Sequence, residues 1–501
     1  IKIVILLFFI CISMSGASFP DMEKYMRQHA LIWEQLPMQW NEGAFLGNGL
    51  VGMMVYADST LNALVFHLGR PDVTDHRKAP YRKTSIGTEE ADKMVDFCRL
   101  DVGKMLLFPE GKILSGTFYL DIYNAELTGH LKTDKGDLTF HAYTPQPEEV
   151  NIVEVSSGVP YRWKGIPGNP CSPRIRVFPH LKEKLKYKDN PAPVVNQKDK
   201  EGSWVQSLLA GGDYATYWKE VPGGKSRSVL YVSTANEVPA SSLSLAKAMK
   251  TVEATQITGT KLLKQKTRQW WNAYHERSFL SIPDKKLENF YFIQMYKLAT
   301  CSHPDGPAMD VMGTFFKLSP WPSFWWNLNI QLTYMPIGPA NRMEQGKNFQ
   351  RLMDEVFPSL VRSIEPCKIG DYTWALQNYY MYLRYAGADW QDIKQQVVPK
   401  ALDAFAVFDK ILCYKENTWH LTHIESPEYE GFQKYNDSNY GLASLSWLLQ
   451  TLIACHDRTS STHPDYARWK EILTRLAPYP TNENGLMIAA NKPLEKSHRH
   501  Y

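Results

Sequence analysis

Leu263-Lys264-Gln265-Lys266-Thr267-Arg268-Gln269-Trp270-Trp271-Asn272-Ala273-Tyr274 marks where the chain changes its period. Leu263, Thr267, Trp270, Trp271 and Tyr274 fall on one face of a 3.6-residue repeat, which predicts a connecting helix with a single apolar stripe. Upstream the spacing is two. Val51-Gly52-Met53-Met54-Val55-Tyr56, Ala63-Leu64-Val65-Phe66, Leu138-Thr139-Phe140-His141-Ala142-Tyr143, Asn151-Ile152-Val153-Glu154-Val155 and Val229-Leu230-Tyr231-Val232 are short and rich in β-formers. Turn residues such as Asp134-Lys135-Gly136-Asp137 separate them. Many short strands with no long helices between them predict an antiparallel β-sandwich over 18–240 rather than a parallel α/β sheet. The charged, Pro-containing stretch from Lys184 to Gly202 reads as an exposed loop.

Downstream of a helical linker over 241–283, the helical period persists. Asp284 is a plausible N-cap for a helix carrying Leu287, Phe290, Tyr291, Gln294 and Leu298. Further helical patterns run from Phe349 to Ile364, Thr373 to Tyr385, Trp390 to Leu412, Tyr440 to His456 and Tyr466 to Leu476. Strands first and helices afterwards define a multidomain β + α chain. The helices over 284–501 are expected to form an (α/α)6 toroid, incomplete at its C-terminal end, whose loops line a pocket at one end. Periodicity alone equally allows another helical array.

The first residues carry a different signal. Lys2 precedes the apolar run from Ile3 to Ile12, and the small residues Ser15-Gly16-Ala17 follow. This is the layout of a secretory signal peptide over 1–17, and the run is shorter than the roughly 20 apolar residues of a spanning helix. The mature chain is expected to be secreted or periplasmic, with no membrane association after cleavage. It opens on Ile1 and stops at Tyr501, and reads as a fragment. Hydrophobic content of 44% and charged content of 22% are ordinary for globular domains. A net charge of +4 without a Lys/Arg run argues against nucleic acid. Cys98, Cys171, Cys301, Cys367, Cys413 and Cys455 are scattered, with no metal-ligand spacing, so no metal or cofactor is expected. Several of these cysteines sit in helical patterns and read as core fillers.

Two islands carry chemistry. Ser426-Pro427-Glu428 sets a carboxylate in a turn beside Tyr429, and Trp325-Trp326-Asn327-Leu328-Asn329 sets two amides two residues apart among tryptophans. Acid, amides and aromatics together suit the binding and cleavage of a glycoside. Glu428 is the candidate general acid, although Glu425 and Glu430 are equally near in sequence. Asn327 and Asn329 are candidates to position a water and its base, an amide being unable to take the proton itself. Trp321, Trp325 and Trp326 are candidates for stacking on a sugar, with core packing the better account for at least one of them. Asp371, Trp374 and His423 begin or flank helices on the candidate loop face and are candidates to bind hydroxyls.

Trp33-x-x-Leu36-Pro37 followed by Leu46-Gly47-Asn48-Gly49-Leu50-Val51-Gly52-Met53-Met54-Val55 resembles the N-terminal signature of glycoside hydrolase family 95, the inverting α-L-fucosidases and α-L-galactosidases. Pro320-Trp321-Pro322 and Asn327-Leu328-Asn329-Ile330-Gln331-Leu332-Thr333-Tyr334-Met335-Pro336 resemble its PPW and NINxxMNYWP segments. Ser426-Pro427-Glu428 resembles its SPE motif, and His498-Arg499-His500-Tyr501 the start of its HRHxSHL motif. Thr333 and Met335 stand where the family usually has Asn and Trp.

The resemblance implies Glu428 as acid, Asn327 and Asn329 as partners of the water and base, and His498 and His500 as substrate contacts. It also places the base carboxylate after the last of these motifs, beyond Tyr501. Asp437, in an Asp-x-Asn-aromatic-Gly string, is a weaker candidate for the base and otherwise a pocket or helix-capping residue. The implied activity is exo-cleavage of a terminal α-L-fucose-like or α-L-galactose-like residue from an oligosaccharide or polysaccharide. Two alternatives remain open: a glycoside phosphorylase of the same architecture, and a non-catalytic glycan-binding protein. A polysaccharide lyase fits poorly, because no Arg/Lys cluster accompanies a Tyr/His pair.

Overall fold

The computed structural model describes residues 21–77, 95, 97–238, 243–426 and 428–497. The leader read over 1–17 lies outside the described residues, as do Pro427, His498 and His500.

Two antiparallel sheets face each other in the N-terminal half. The larger has nine strands in the order Leu31–Trp33, Ile113–Asp121, Glu126–Thr133, Asp137–Tyr143, Val150–Ser157, Arg227–Glu237, Asp213–Pro222, Glu201–Ser207 and Val194–Gln197. The smaller has five, in the order Tyr161–Ile166, Lys104–Pro109, Ala63–Gly69, Gly52–Asp58 and Ala44–Gly47. Alternation decides which side chains turn inward. Phe118 and Leu120 are buried, while Tyr119 between them is 39% exposed. With Leu127, Leu131 and Phe140 they meet Phe66, Leu68, Met105 and Leu107 of the smaller sheet in one core. The rings of Phe66 and Phe140 cross edge to face, 5.5 Å between centroids.

The segment from Lys184 to Gly202 is not simply a loop. It contains the edge strand Val194–Gln197, hydrogen-bonded on one side only. Val194 is 73% exposed, so this strand has no buried face and leaves no alternation in the sequence.

Three short helices, α1 (Met22–Met26), α2 (Pro173–Val177) and α3 (His180–Lys184), decorate the sheets. Two longer ones follow, α4 (Ser244–Thr258) and α5 (Thr260–His275). Val252 of α4 and Leu263 of α5 pack with Tyr143, Val150, Ile152 and Tyr231 of the larger sheet. Arg268 of α5 reaches Glu126 with two hydrogen bonds, and His141 shares the same carboxylate. Burial opposes the Glu126 charge, but the bonds from His141 and Arg268 bring it down to about 2. His275 is fully buried and donates from Nε2 to the Ile122 carbonyl at 2.9 Å. Burial, reinforced by Arg342, pushes its ring down to about 3, so it stays neutral.

The next helix, α6 (Lys285–Cys301), is started by Asp284, which accepts from the backbone N–H groups of Lys286 and Leu287. Two tyrosines fix it to its neighbours: Tyr274 donates to the Met295 carbonyl at 2.7 Å and Tyr296 to the Phe45 carbonyl at 3.1 Å. Gly47-Asn48-Gly49 makes the third attachment. Asn48 is fully buried and uses both ends of its amide: Nδ2 donates to the Pro145 and Glu148 carbonyls, while Oδ1 accepts from Leu50 and Val51. Gly49 donates to the Thr300 carbonyl at 2.9 Å with φ of +81°, and a Cβ there would lie 2.3 Å from the Ser302 carbonyl carbon. Only glycine allows that approach. This motif therefore seats the smaller sheet on the end of α6.

The remaining helices are α7 (Asn329–Tyr334), α8 (Lys347–Glu355), α9 (Phe357–Val361), α10 (Ile369–Tyr385), α11 (Trp390–Gln396), α12 (Val398–Phe408), α13 (Asn439–Arg458) and α14 (Tyr466–Thr474). Two patterns expected as single helices are each broken in two, with Pro358 and Pro399 in the first turn of the second piece. Helices α10, α12 and α13 enclose a second core with Leu376, Tyr379, Ala404, Phe408, Leu445 and Leu449. Two small hairpins interrupt the helices: Leu412–Lys415 with Thr418–Leu421, and Ile424–Glu425 with Lys434–Tyr435. Among the described residues the six cysteines are free thiols, and no helix is long and apolar enough to cross a membrane.

Candidate active site

A cavity of about 1370 Å³ lies where the smaller sheet meets the helices. Trp40, Phe45 and Met54 line it from the sheet side, and Met295 and Leu298 from α6. Asn327, Asn329, Glu428, Trp321 and Trp325 line it as well. Four of these five fall within residues 321–329, and Glu428, 99 positions after Asn329, is brought to the same cavity.

The two asparagines are held by an unusual turn. The Asn329 backbone N–H donates to the Asn327 carbonyl at 2.6 Å, and Leu328 between them has φ of +60° and ψ of −50°. That is the rarer, strained hand of the γ-turn, carried here by a bulky residue. Asn327 is buried, whereas Asn329 opens α7 and is exposed. Strain at Leu328 gives a direct expectation. Leu328→Ala keeps the unfavourable φ and loses the side chain, whereas Leu328→Gly also removes the strain. The glycine variant should be the more stable of the two by about 1 kcal/mol, the reverse of the usual order. Urea unfolding of both variants checks this, and an alanine variant more stable than the glycine would count against strain.

Glu428 sits half-buried in the turn that joins Ile424–Glu425 to Lys434–Tyr435. The turn is closed by Ser426 N–H donating to the Gln433 carbonyl and Tyr429 N–H to Gly431. Tyr429 beneath it is buried, its hydroxyl accepting from the Glu495 and Lys496 N–H groups. Of the three neighbouring acids only Glu428 reaches the cavity. Glu430 turns to Lys492 at 2.7 Å, and Glu425 lies in the strand beside Cys367.

Trp321 is 43% exposed and tilts against Trp325 at 5.3 Å, so the cavity has a pair of aromatic faces. Arg174 backs this pair, with its guanidinium 5.2 Å from the Trp321 ring and a hydrogen bond to the Pro320 carbonyl. Trp326 points the other way. It is fully buried and stacked on Tyr372 at 5.1 Å, a core residue rather than a sugar platform.

The other candidates stand outside the wall. Asp437 is committed to structure: one oxygen accepts from the Leu421 N–H at 2.8 Å and the other meets His420 Nδ1 at 2.6 Å. The cap of α13 is its neighbour Ser438, which accepts from Gly441. His423 is exposed, and its backbone N–H donates to Asn436. Trp374 packs edge-on against Tyr440.

Asp371, in the first turn of α10, lies behind Asn327 instead of facing the cavity. Its Oδ1 accepts from Asn327 Nδ2 at 2.9 Å and from the Tyr440 hydroxyl at 2.7 Å. Burial pushes its carboxyl up to about 6; the two hydrogen bonds work against this, and Glu425 adds to the rise.

Sequence reasoning missed Asp310, Lys297 and Lys317, all in the cavity wall. Asp310 is engaged at both oxygens, by Arg99 at 3.1 Å and by the Met312 N–H at 2.8 Å, and so braces the wall. Lys297 lies 5.7 Å from the Phe45 ring and Lys317 5.4 Å from that of Trp40. Isolated lysines carry no local motif, so only the fold brings them to notice. Among the described residues no three His, Cys, Asp or Glu side chains gather as metal ligands.

No family model matches the chain, and no curated protein does. Solved structures do. A human-microbiome protein assigned as a kojibiose phosphorylase superposes with a TM-score of 0.57 at 9% identity, over 88% of this chain and 66% of its own. The chain therefore spans slightly less than two thirds of that structure's length. A family GH92 alpha-mannosidase from Bacteroides thetaiotaomicron covers 86% of this chain and 62% of its own at 8% identity, with a TM-score of only 0.32. The first of these shows a likeness of fold: like this chain, that structure superposes an antiparallel sheet region and helices along most of the sequence.

Proposed function

We propose that this chain is a glycoside hydrolase of the family 95 type, exported and inverting, that removes a terminal α-L-fucose-like or α-L-galactose-like residue from a glycan. The observation that carries this reading is the convergence of Glu428, Asn327, Asn329, Trp321 and Trp325 on one cavity. In this reading Glu428 protonates the leaving oxygen. The two asparagines position the water on the opposite face of the sugar, where the base carboxylate stands roughly 6.5–9.5 Å from the acid. Trp321 and Trp325 stack on the sugar's apolar face. The base is assigned by resemblance to a carboxylate that follows the segment beginning at His498.

Phosphorolysis is the second reading. Two lysines in the cavity wall, Lys297 and Lys317, have no ion pair among the described residues and suit an anion. One experiment separates the two. The full-length protein, with the segment that carries the base, is incubated with aryl and natural α-L-fucosides and α-L-galactosides, with and without inorganic phosphate, and the first-formed product is followed by NMR. Hydrolysis yields free sugar of inverted configuration whether or not phosphate is present. A sugar phosphate formed only with phosphate would establish the second reading, and product of retained configuration would remove the water-positioning role of the asparagines.

A further inference from the structure

We infer that Asp371 is a positioning residue that fixes the orientation of the Asn327 amide, so that Asn327 offers the cavity an acceptor oxygen and not a donor. The inference rests on the cavity being the site described above.

An asparagine amide can be turned over at little steric cost, since its oxygen and nitrogen are nearly the same size. Hydrogen bonding decides its direction. Here a carboxylate oxygen accepts from Nδ2 at 2.9 Å, so the carbonyl oxygen stands on the other side of the amide, and Asn327 is among the residues that line the cavity. Tyr440 donates to the same Oδ1 at 2.7 Å and holds the carboxylate in place from α13. The backbone of Asp371 adds a further tie, its carbonyl accepting Gln331 Nε2 from α7 at 2.9 Å. Three elements thus close on one amide: the strained turn at Leu328, the first turn of α10 and the start of α13. Both Asn327 and Asp371 are nearly fully buried, so water does not substitute readily for either partner. An acceptor at this position suits a water that must be oriented through its O–H. A donor there would not serve.

Asp371→Leu nearly keeps the volume but removes the oxygen that accepts from Asn327 and Tyr440, so nothing on α10 holds the amide in its present direction. Kinetics of the full-length protein are compared for wild type, Asp371→Leu, Asn327→Ala and the double variant, on the aryl glycoside that wild type turns over fastest. Asp371→Leu should lower kcat by roughly tenfold to a hundredfold with KM changed much less. Asp371→Asn, which keeps Oδ1 as an acceptor, should retain most of the wild-type kcat. In the Asn327→Ala background Asp371→Leu should add almost nothing, because its effect passes through that amide. Wild-type kcat in Asp371→Leu, or an equal further loss in the double variant, would overturn the inference while leaving Glu428 in its proposed role. Melting temperatures of the same proteins test the contact independently of turnover. Asp371→Leu should lower the melting temperature more in wild type than in Asn327→Ala, and equal shifts would overturn it even if no glycoside is cleaved. Should Asp371→Leu fail to fold, Tyr440→Phe removes the second donor to the same oxygen and should give the same pattern at smaller size.

Discussion

Replacing Glu428 with Gln lowers turnover of a natural glycoside by about 10²–10⁴-fold, the usual contribution of a positioned general acid. The substitution keeps the shape of a half-buried side chain in a turn closed by backbone hydrogen bonds, so the fold should survive it. The loss depends on what leaves. A nitrophenyl glycoside departs with little protonation and should lose far less rate than an alkyl or sugar leaving group. Steady-state kinetics on a series of leaving groups read this directly, as a steeper dependence on leaving-group pKa in the variant. Equal losses across the series would show that Glu428 binds the sugar without protonating it. Glu430→Gln is the internal control: that residue faces Lys492 and should change turnover little.

How much of this was legible in the sequence depended on how local each signal was. Asp284 was readable as a cap because the donors it satisfies are two and three residues away. The break of the helical pattern at Pro399 was equally local, and the apolar period masked it. The strand Val194–Gln197 was not readable: pairing on one edge with exposed valines leaves no alternation. The motif Gly47-Asn48-Gly49 was visible, but its work was not. It docks one sheet on the end of α6 through contacts about 250 residues away, and this docking gives the cavity the walls formed by Trp40 and Phe45.

The site follows the same division. Glu428, Asn327 and Asn329 stood out by residue type and spacing. Trp326 was indistinguishable from Trp325 by composition, since neighbouring residues near a turn separate only once the backbone sends one to the core. Asp371 looked like a hydroxyl-binding residue because an acid at a helix start is usually exposed. Its burial behind Asn327 depends on α7 and α13 arriving from elsewhere in the chain. The surroundings of Asp437 were hidden for a similar reason: His420, brought up by the hairpin Leu412–Lys415 with Thr418–Leu421, meets one of its oxygens.

The two asparagines differ in surroundings, and that difference makes their replacement informative. Asn329 is exposed at the first position of α7, so Asn329→Ala should change stability by less than about 0.5 kcal/mol. Asn327 is buried and bonded to Asp371, so Asn327→Ala leaves the carboxylate short of a donor and should cost about 1–3 kcal/mol. Both substitutions should nonetheless lower turnover by a similar factor, roughly 10², because both residues act on the same water. Water must attack whatever group leaves, so this loss should be the same for nitrophenyl and alkyl glycosides, unlike the loss in Glu428→Gln. Urea unfolding and kinetics on two leaving groups separate the effects. If Asn329→Ala keeps wild-type turnover while Asn327→Ala loses it in proportion to its stability, the paired asparagines serve the fold of the Leu328 turn, and water positioning must be sought elsewhere in the wall.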